Sequence, residues 1–230
     1  MKGKSRRKLK QKQKRIEKIN RGKIVRFNLA NSRVKYKGCK NVYGYQSNIH
    51  NLIYKDAKFE NVRYQASNIT NCNFKHATLK GVDFINTNLK HTNFKGAKLK
   101  DVVFFNCNLK DVDFKDVQFE NVFFISTRLN NTKNLILGQG CTCIKSYPKI
   151  EIGYRLRESI SRLTECDKIY KYHILHVNLN KINMWNISLL LQYGEENLVR
   201  AMEALYKRKN KYAFYTIYSY KKFIESYLKI

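Results

Sequence analysis

Acidic side chains are scarce in this chain of 230 residues: seventeen Asp and Glu stand against forty-six Lys and Arg, a formal net charge of +29. Such a chain repels itself unless polyanions or counterions lie close, which makes nucleic acid the first partner class to consider, ahead of an anionic membrane or an acidic protein. There is no run of eighteen apolar residues and no apolar core of an export signal, so a soluble, non-exported protein is expected. The six cysteines are scattered, which fits reduced thiols in a cytoplasmic compartment better than a disulfide framework. Also missing are a phosphate-cradling glycine loop, a nucleophile elbow and paired carboxylates, so no catalytic residue, cofactor or enzymatic activity is expected. Cys141 and Cys143 with His173 and His176 can be assembled on paper into a zinc site, but the C-x-C spacing is atypical for that metal, so no metal is expected either.

What is present is a period. From Ile49 to Leu129 a bulky apolar residue returns every fifth position: Ile49, Tyr54, Phe59, Tyr64, Ile69, Phe74, Leu79, Phe84 and onward through Phe104, Phe114, Phe124 and Leu129. Two places before nearly every one stands a small or β-branched residue, as at Ser47, Ala57, Val62, Cys72, Thr87 and Val102. Five suits neither the 3.6-residue helix nor a simple strand, and a short unbroken period points to stacked coils whose units cannot bury themselves alone.

The triplets Ser47-Asn48-Ile49, Thr87-Asn88-Leu89, Thr92-Asn93-Phe94 and Cys107-Asn108-Leu109 carry a resemblance to the pentapeptide-repeat family, with its general pattern A-(D/N)-L-X-X. The resemblance implies a right-handed quadrilateral β-helix in which four pentapeptides make one turn, so that residues twenty apart stack. Sorted by twenties, the centres form a wall Ile49, Ile69, Leu89, Leu109, Leu129, a second Tyr54, Phe74, Phe94, Phe114, a third Phe59, Leu79, Leu99, Phe119 and a fourth Tyr64, Phe84, Phe104, Phe124. Like stacks on like in three of the four. The regular part should be a rod about 20 Å long at the strand spacing. The expected order is a basic arm at 1–26, the β-solenoid at 27–137 with an irregular first coil at 27–46 in which Ser32 and Val34 fit the frame, a linker at 138–149 after Gly138-Gln139-Gly140, and an α-helical region at 150–230.

Outward positions divide the surface. After each centre of the second wall comes Lys55, Lys75, Lys95 or Lys115, flanked by Lys90 and Lys110 on one side and by Lys80 and Lys100 on the other. Lysines about 5 Å apart in water repel by roughly 1 kcal/mol, which a phosphate backbone would neutralise; the alternative is that lysine is simply a soluble choice there. The arm, with thirteen basic residues including Arg6, Arg7, Lys8, Lys10, Lys12, Lys14 and Arg15 against Glu17 alone, is expected to follow phosphates, or else to be a solvated tail. On the fourth wall Ile85, Val103, Phe105, Phe123 and Ile125 would form an apolar patch needing a cover: the chain's own C-terminal region, a second copy or a foreign partner.

Beyond Pro148 the apolar spacing turns helical, through Leu156, Ile160 and Leu163 and again through Leu198, Met202 and Leu205. Eleven of the sixteen tyrosines lie from Tyr147 to Tyr227, either as half-buried interface residues or as platforms for unpaired bases.

For function, the resemblance offers a precedent in members that bind DNA gyrase or topoisomerase IV as acidic mimics of DNA. A rod carrying lysine ladders cannot imitate a polyanion, so that mechanism is not expected here. The leading expectation is a non-enzymatic adaptor for RNA, DNA or a nucleoprotein complex. The alternative is a protein-binding inhibitor or protection factor acting on a bacterial enzyme or a host nucleoprotein.

Overall fold

A computed structural model describes residues 28–230, together with Gln13. Eleven strands wind as parallel coils: β1 (Asn28–Ala30), β2 (Gly38–Tyr45), β3 (Asn48–His50), β4 (Lys58–Gln65), β5 (Asn68–Thr70), β6 (Thr78–Ile85), β7 (Lys98–Lys100), β8 (Val103–Phe105), β9 (Gln118–Glu120), β10 (Val122–Ile125) and β11 (Cys141–Ile144). The register is twenty residues per turn, as in Asn48 on Asn68, Phe59 on Leu79 and Phe84 on Phe104. The second wall follows it through single bridges, Ile53 to Asn73 to Asn93 to Asp113. The fold is a four-walled parallel β-solenoid followed by a helical region.

The period of five explains this geometry residue by residue. Each centre points inward, and two aromatic files run up the rod. Tyr54, Phe74, Phe94 and Phe114 are spaced 4.8, 5.0 and 5.6 Å between ring centroids, and Tyr64, Phe84, Phe104 and Phe124 are spaced 6.0, 5.2 and 5.1 Å. The files meet edge to face, with Phe94 and Phe104 at 83° and Phe104 and Phe114 at 88°. Offset stacking within a file and T-shaped contact between files are the two favoured aromatic arrangements, each pair worth about 0.5–1.5 kcal/mol beyond its burial. Small inward residues return polar atoms to the preceding coil: Thr87 Oγ1 donates to the Tyr64 carbonyl and Thr92 Oγ1 to that of Ile69, both at 3.0 Å. Cys72 and Cys107 sit in the same slots, and burial pushes their thiols up to about 11 and about 12.

The corner two residues after each centre turns through the left-handed region, with φ of 54° at Asn51, 59° at Asp56, 53° at Asn71 and 56° at His76. Asn and Asp tolerate that region better than other side chains, which is why they recur there. Corner asparagines also pair vertically: Asn61 Nδ2 donates to Asn41 Oδ1 at 2.9 Å and Asn106 Nδ2 to Asn86 Oδ1 at 2.8 Å. At Gly81 (φ 63°) a Cβ would lie 2.2 Å from the Tyr218 ring, so both the turn and the close approach of a helix demand glycine.

The two ends differ from the expectation. Val34 does not fill the second wall; it is 62% exposed, and Tyr36 takes its place, 5.6 Å from the Tyr54 ring. Lys35 accordingly bridges Ile53, eighteen residues on, before Gly38 restores the register on Lys58. Among the described residues this coil has a neighbour on one side only, so the larger ring can slip into the slot. At the other end residues 141–144, expected as linker, form β11, which pairs with β10 with Cys141 on Val122. Gly140 (φ 98°) leads directly into this strand.

The helical region comprises α1 (Tyr154–Arg162), α2 (Asp167–Tyr170), α3 (Met184–Leu190), α4 (Glu195–Lys207) and α5 (Ile217–Leu228). A short antiparallel pair, β12 (His176–Asn178) with β13 (Lys181–Ile182), was not foreshadowed by the helical spacing. Leu156, Ile160, Leu198, Met202 and Leu205 build its core. Thr216 caps α5 in a reciprocal box: its Oγ1 accepts from the Ser219 N–H at 3.2 Å, while Ser219 Oγ accepts from the Thr216 N–H at 3.3 Å. Among the described residues no helix is long and apolar enough to cross a membrane.

Candidate nucleic-acid interface

Lys55, Lys75, Lys95 and Lys115 stand in one vertical file, each exposed or half-buried. The file is held by the backbone. Asn73, Asn93 and Asp113 accept, through their side-chain oxygens, the N–H groups of Lys75, Lys95 and Lys115 at 3.0, 2.9 and 3.0 Å. The carbonyls of the same three lysines accept from the N–H groups of Asp56, His76 and Gly96 in the coil below, at 2.9, 3.0 and 2.9 Å. Lys75, Lys95 and Lys115 are thus each pinned within their own turn and to the coil below, and the file of four that they form with Lys55 spans about 14 Å at the strand spacing. Lys90 and Lys110 on the adjoining wall are set the same way by Asn88 and Asn108, at 3.3 and 3.2 Å.

Among the described residues no carboxylate forms a salt bridge with any of these six lysines. Of the nearby acids, Asp56 pairs with Lys35 at 2.7 Å and Asp111 with Lys133 at 3.2 Å, while Asp116 beside Lys115 is exposed and partly offsets the field. Burial alone would raise the Asp113 carboxyl, but hydrogen bonds from Asn134 and the Lys115 N–H, with the field of Lys95 and Lys115, hold it below its ordinary value. The other flank is not part of this field as the sequence suggested. Lys80 lies 5.5 Å over the Tyr218 ring of α5, and Lys100 is paired with Glu120 of the next coil, so each is engaged with a partner of its own. Arg6, Arg7, Lys8, Lys10, Lys12, Lys14 and Arg15 of the basic arm lie outside the described residues.

The wall opposite the lysines is a joint within the chain. Val103 and Ile125 are buried, with Ile85, Phe105 and Phe123 packed against the same cluster as Ile152, Leu190 and Ile224 of the helical region. Phe105 meets Trp185 edge-on at 5.8 Å. This wall is therefore covered by the chain itself, which removes it as a face for a second copy or a foreign protein. Its polar contacts were not read in the sequence. Asn61 Nδ2 donates to the Ala213 carbonyl and Thr216 Oγ1 donates to Asn61 Oδ1, both at 2.7 Å, while the Ile217 N–H donates to Asp83 Oδ2 at 3.2 Å. Lys221 reaches Asp101 at 3.5 Å, and burial pulls its ammonium pKa below the ordinary value despite that partner. Burial raises the Asp83 carboxyl to about 7, against the opposing field of Arg63. The signal was present in part: Arg63 and Asp83 occupy the file that continues as Val103 and Phe123, where an outward charge breaks an otherwise apolar column.

The remaining candidates separate. Cys141 and Cys143 lie on β11, whereas His176 is buried with Nε2 at 2.9 Å from the Ile160 carbonyl. Among the described residues no three His, Cys, Asp or Glu side chains are grouped to hold a metal.

The family described as pentapeptide repeat region matches residues 32–114 and 57–133, the segment that forms the coils. The coils are a pentapeptide-repeat region. Among solved structures, the chain is similar to a trypsin-treated variant of QnrB1, a plasmid-mediated fluoroquinolone resistance protein, at 14% identity over 52% of this chain and 69% of that one, TM-score 0.34. It is also similar to the pentapeptide-repeat protein Rfr23 from the cyanobacterium Cyanothece 51142, at 17% identity over 47% of this chain and 84% of that one, TM-score 0.23. Comparison with curated proteins gives no match.

Proposed function

We propose that this protein is a non-enzymatic adaptor that holds nucleic acid, or a nucleoprotein complex, by its phosphates. The observation that carries the reading is the file Lys55, Lys75, Lys95 and Lys115, without salt-bridge partners and facing away from the wall that the helices cover. A column of ammonium groups on a rigid rod presents repeated positive charge at fixed height, and a polyanion relieves its mutual repulsion. Lys90 and Lys110 widen the surface, and the thirteen basic residues of the first twenty-six add charge that the rod tethers at one end. Cytoplasmic nucleic acid, RNA or DNA, is the polyanion proposed.

The test is binding of a labelled random-sequence oligonucleotide to the full chain, by fluorescence anisotropy, across a salt series. With six to ten phosphate contacts, affinity falls by about 10³ to 10⁵ between about 50 and about 200 mM salt. Absence of binding at the low end, or affinity indifferent to salt, overturns the reading. Recovery of the tagged protein from its own cells with a stoichiometric protein that survives nuclease would favour an inhibitor or protection factor instead.

A further inference from the structure

Four tyrosines that the lysine file does not use gather at the N-terminal end of the rod, where the first coil meets the helical region. Tyr43 and Tyr45, alternate residues of β2, lie 6.4 Å apart and within 23° of parallel. Behind them Tyr172 meets Tyr43 edge-on at 5.1 Å, and Tyr215 meets Tyr172 at 4.8 Å and 80°. Lys171 sits 4.8 Å over the Tyr172 ring, placing an ammonium group beside the aromatic faces. The inner rings are anchored: Tyr43 Oη donates to Gln65 Oε1 at 3.2 Å, and Arg63 donates to the same oxygen at 2.9 Å. Tyr45 is the outermost, 41% exposed on the terminal coil.

The next corner carries Gln46, whose Nε2 donates to Tyr45 Oη at 3.3 Å. Gln46 also lines a polar cleft of about 280 Å³ with Asn28, Asn48, Ala66 and Asn68. Asn28 is where the basic arm joins the described chain. An exposed ring on a rigid aromatic backing, a cation and amide side chains able to reach base edges therefore share one end of the rod.

We infer that this end is a stacking site for unpaired bases, which makes single-stranded polynucleotide the preferred ligand class of the adaptor. The inference rests on the function proposed above. A duplex offers phosphates to the lysine file, but its bases are already stacked on one another; only a single strand can lay a base face on Tyr45. Lys171 supplies charge for the flanking phosphates, and the cleft asparagines meet base edges without selecting a sequence strictly.

The experiment compares a labelled oligouridylate of about 16 nucleotides with a duplex of matched length and charge, on the full chain and on Tyr45→Ala and Tyr45→Phe. Expected are tighter binding of the single strand, a loss of about five- to hundred-fold in Tyr45→Ala for that ligand alone, and near-full retention in Tyr45→Phe, which keeps the ring. Equal affinity for both ligands, with Tyr45→Ala indistinguishable from the parent, overturns the stacking site and leaves the adaptor reading standing. No binding of either ligand at low salt overturns both. Photocrosslinking with a 5-iodouridine oligonucleotide provides a readout independent of the variants: crosslinks at Tyr43, Tyr45, Tyr172 or Tyr215 support the site, and crosslinks confined elsewhere contradict it.

Discussion

Two opposite walls of the same rod use the same backbone, corners and aromatic centres, and differ chiefly in the side chains they point outward. On one, the residue after each centre is Lys55, Lys75, Lys95 or Lys115; on the other, it is Gln65, Ile85, Phe105 or Ile125. The first remains a cationic face, and the second becomes a joint buried beneath the helical region. The pentapeptide frame thus sets where side chains go, while the free positions of each repeat decide whether a wall binds the chain's own helices or is left to meet a partner.

Breaking the joint should have the largest effect. Ile125 is fully buried between wall and helices, and Ile125→Asp would place a carboxylate in that apolar contact. The expected cost is above about 4 kcal/mol, enough to expose the helical region to limited proteolysis while the coils keep their strand signature in circular dichroism. Unchanged proteolysis would show that the joint contributes little.

Next comes the buried charge. The folded pKa of Asp83 is raised to about 7, above its ordinary carboxylate value, so the protonated form is favoured in the folded state. Stability from this group is complete below the ordinary carboxylate range and is lost as pH rises through about 7. His176, whose pKa burial lowers, acts in the opposite sense as pH falls, so the contribution of Asp83 is best read by difference. Urea midpoints should fall between about pH 5 and about pH 8 more steeply in the parent than in Asp83→Asn. Parallel curves would exclude Asp83 as the source.

A smaller effect is expected at Thr216, which both caps α5 and donates to Asn61 across the joint. Thr216→Ala should lower stability by about 1–2 kcal/mol in urea titration, and substituting Asn61 in addition should cost less than the sum of the two changes. Strict additivity would mean that the hydrogen bond carries no coupling. Smallest of all is the effect on stability of changing all four file lysines to Gln, which relieves repulsion without removing any packing and should shift thermal unfolding little or slightly upward.

Much of this could be read from the period. Because inward and outward positions repeat every five residues and heights every twenty, the aromatic files, the lysine file and the apolar wall were legible before any coordinates. The left-handed corners were legible in principle, in the Asn and Asp recurring two places after the centres, yet the pattern of apolar residues alone does not draw attention to them. What escaped lies where periodicity stops. Tyr36 displaces Val34 because, among the described residues, the first coil stacks on one side only, and β11 pairs without a repeat centre of its own. The roles of Lys80, Asp83 and the tyrosine end depend on segments more than a hundred residues away, which no local spacing encodes, whereas the Lys100–Glu120 pair follows the twenty-residue period.

The central claim is that the lysine wall is a phosphate-binding face, and the salt dependence of binding tests it most directly. Each phosphate contact contributes about 0.9 to the slope of log affinity against log salt on a duplex, so replacing Lys55, Lys75, Lys95 and Lys115 with Gln should reduce that slope by about 3 to 4. A variant that folds as the parent does and binds with an unchanged slope would contradict it.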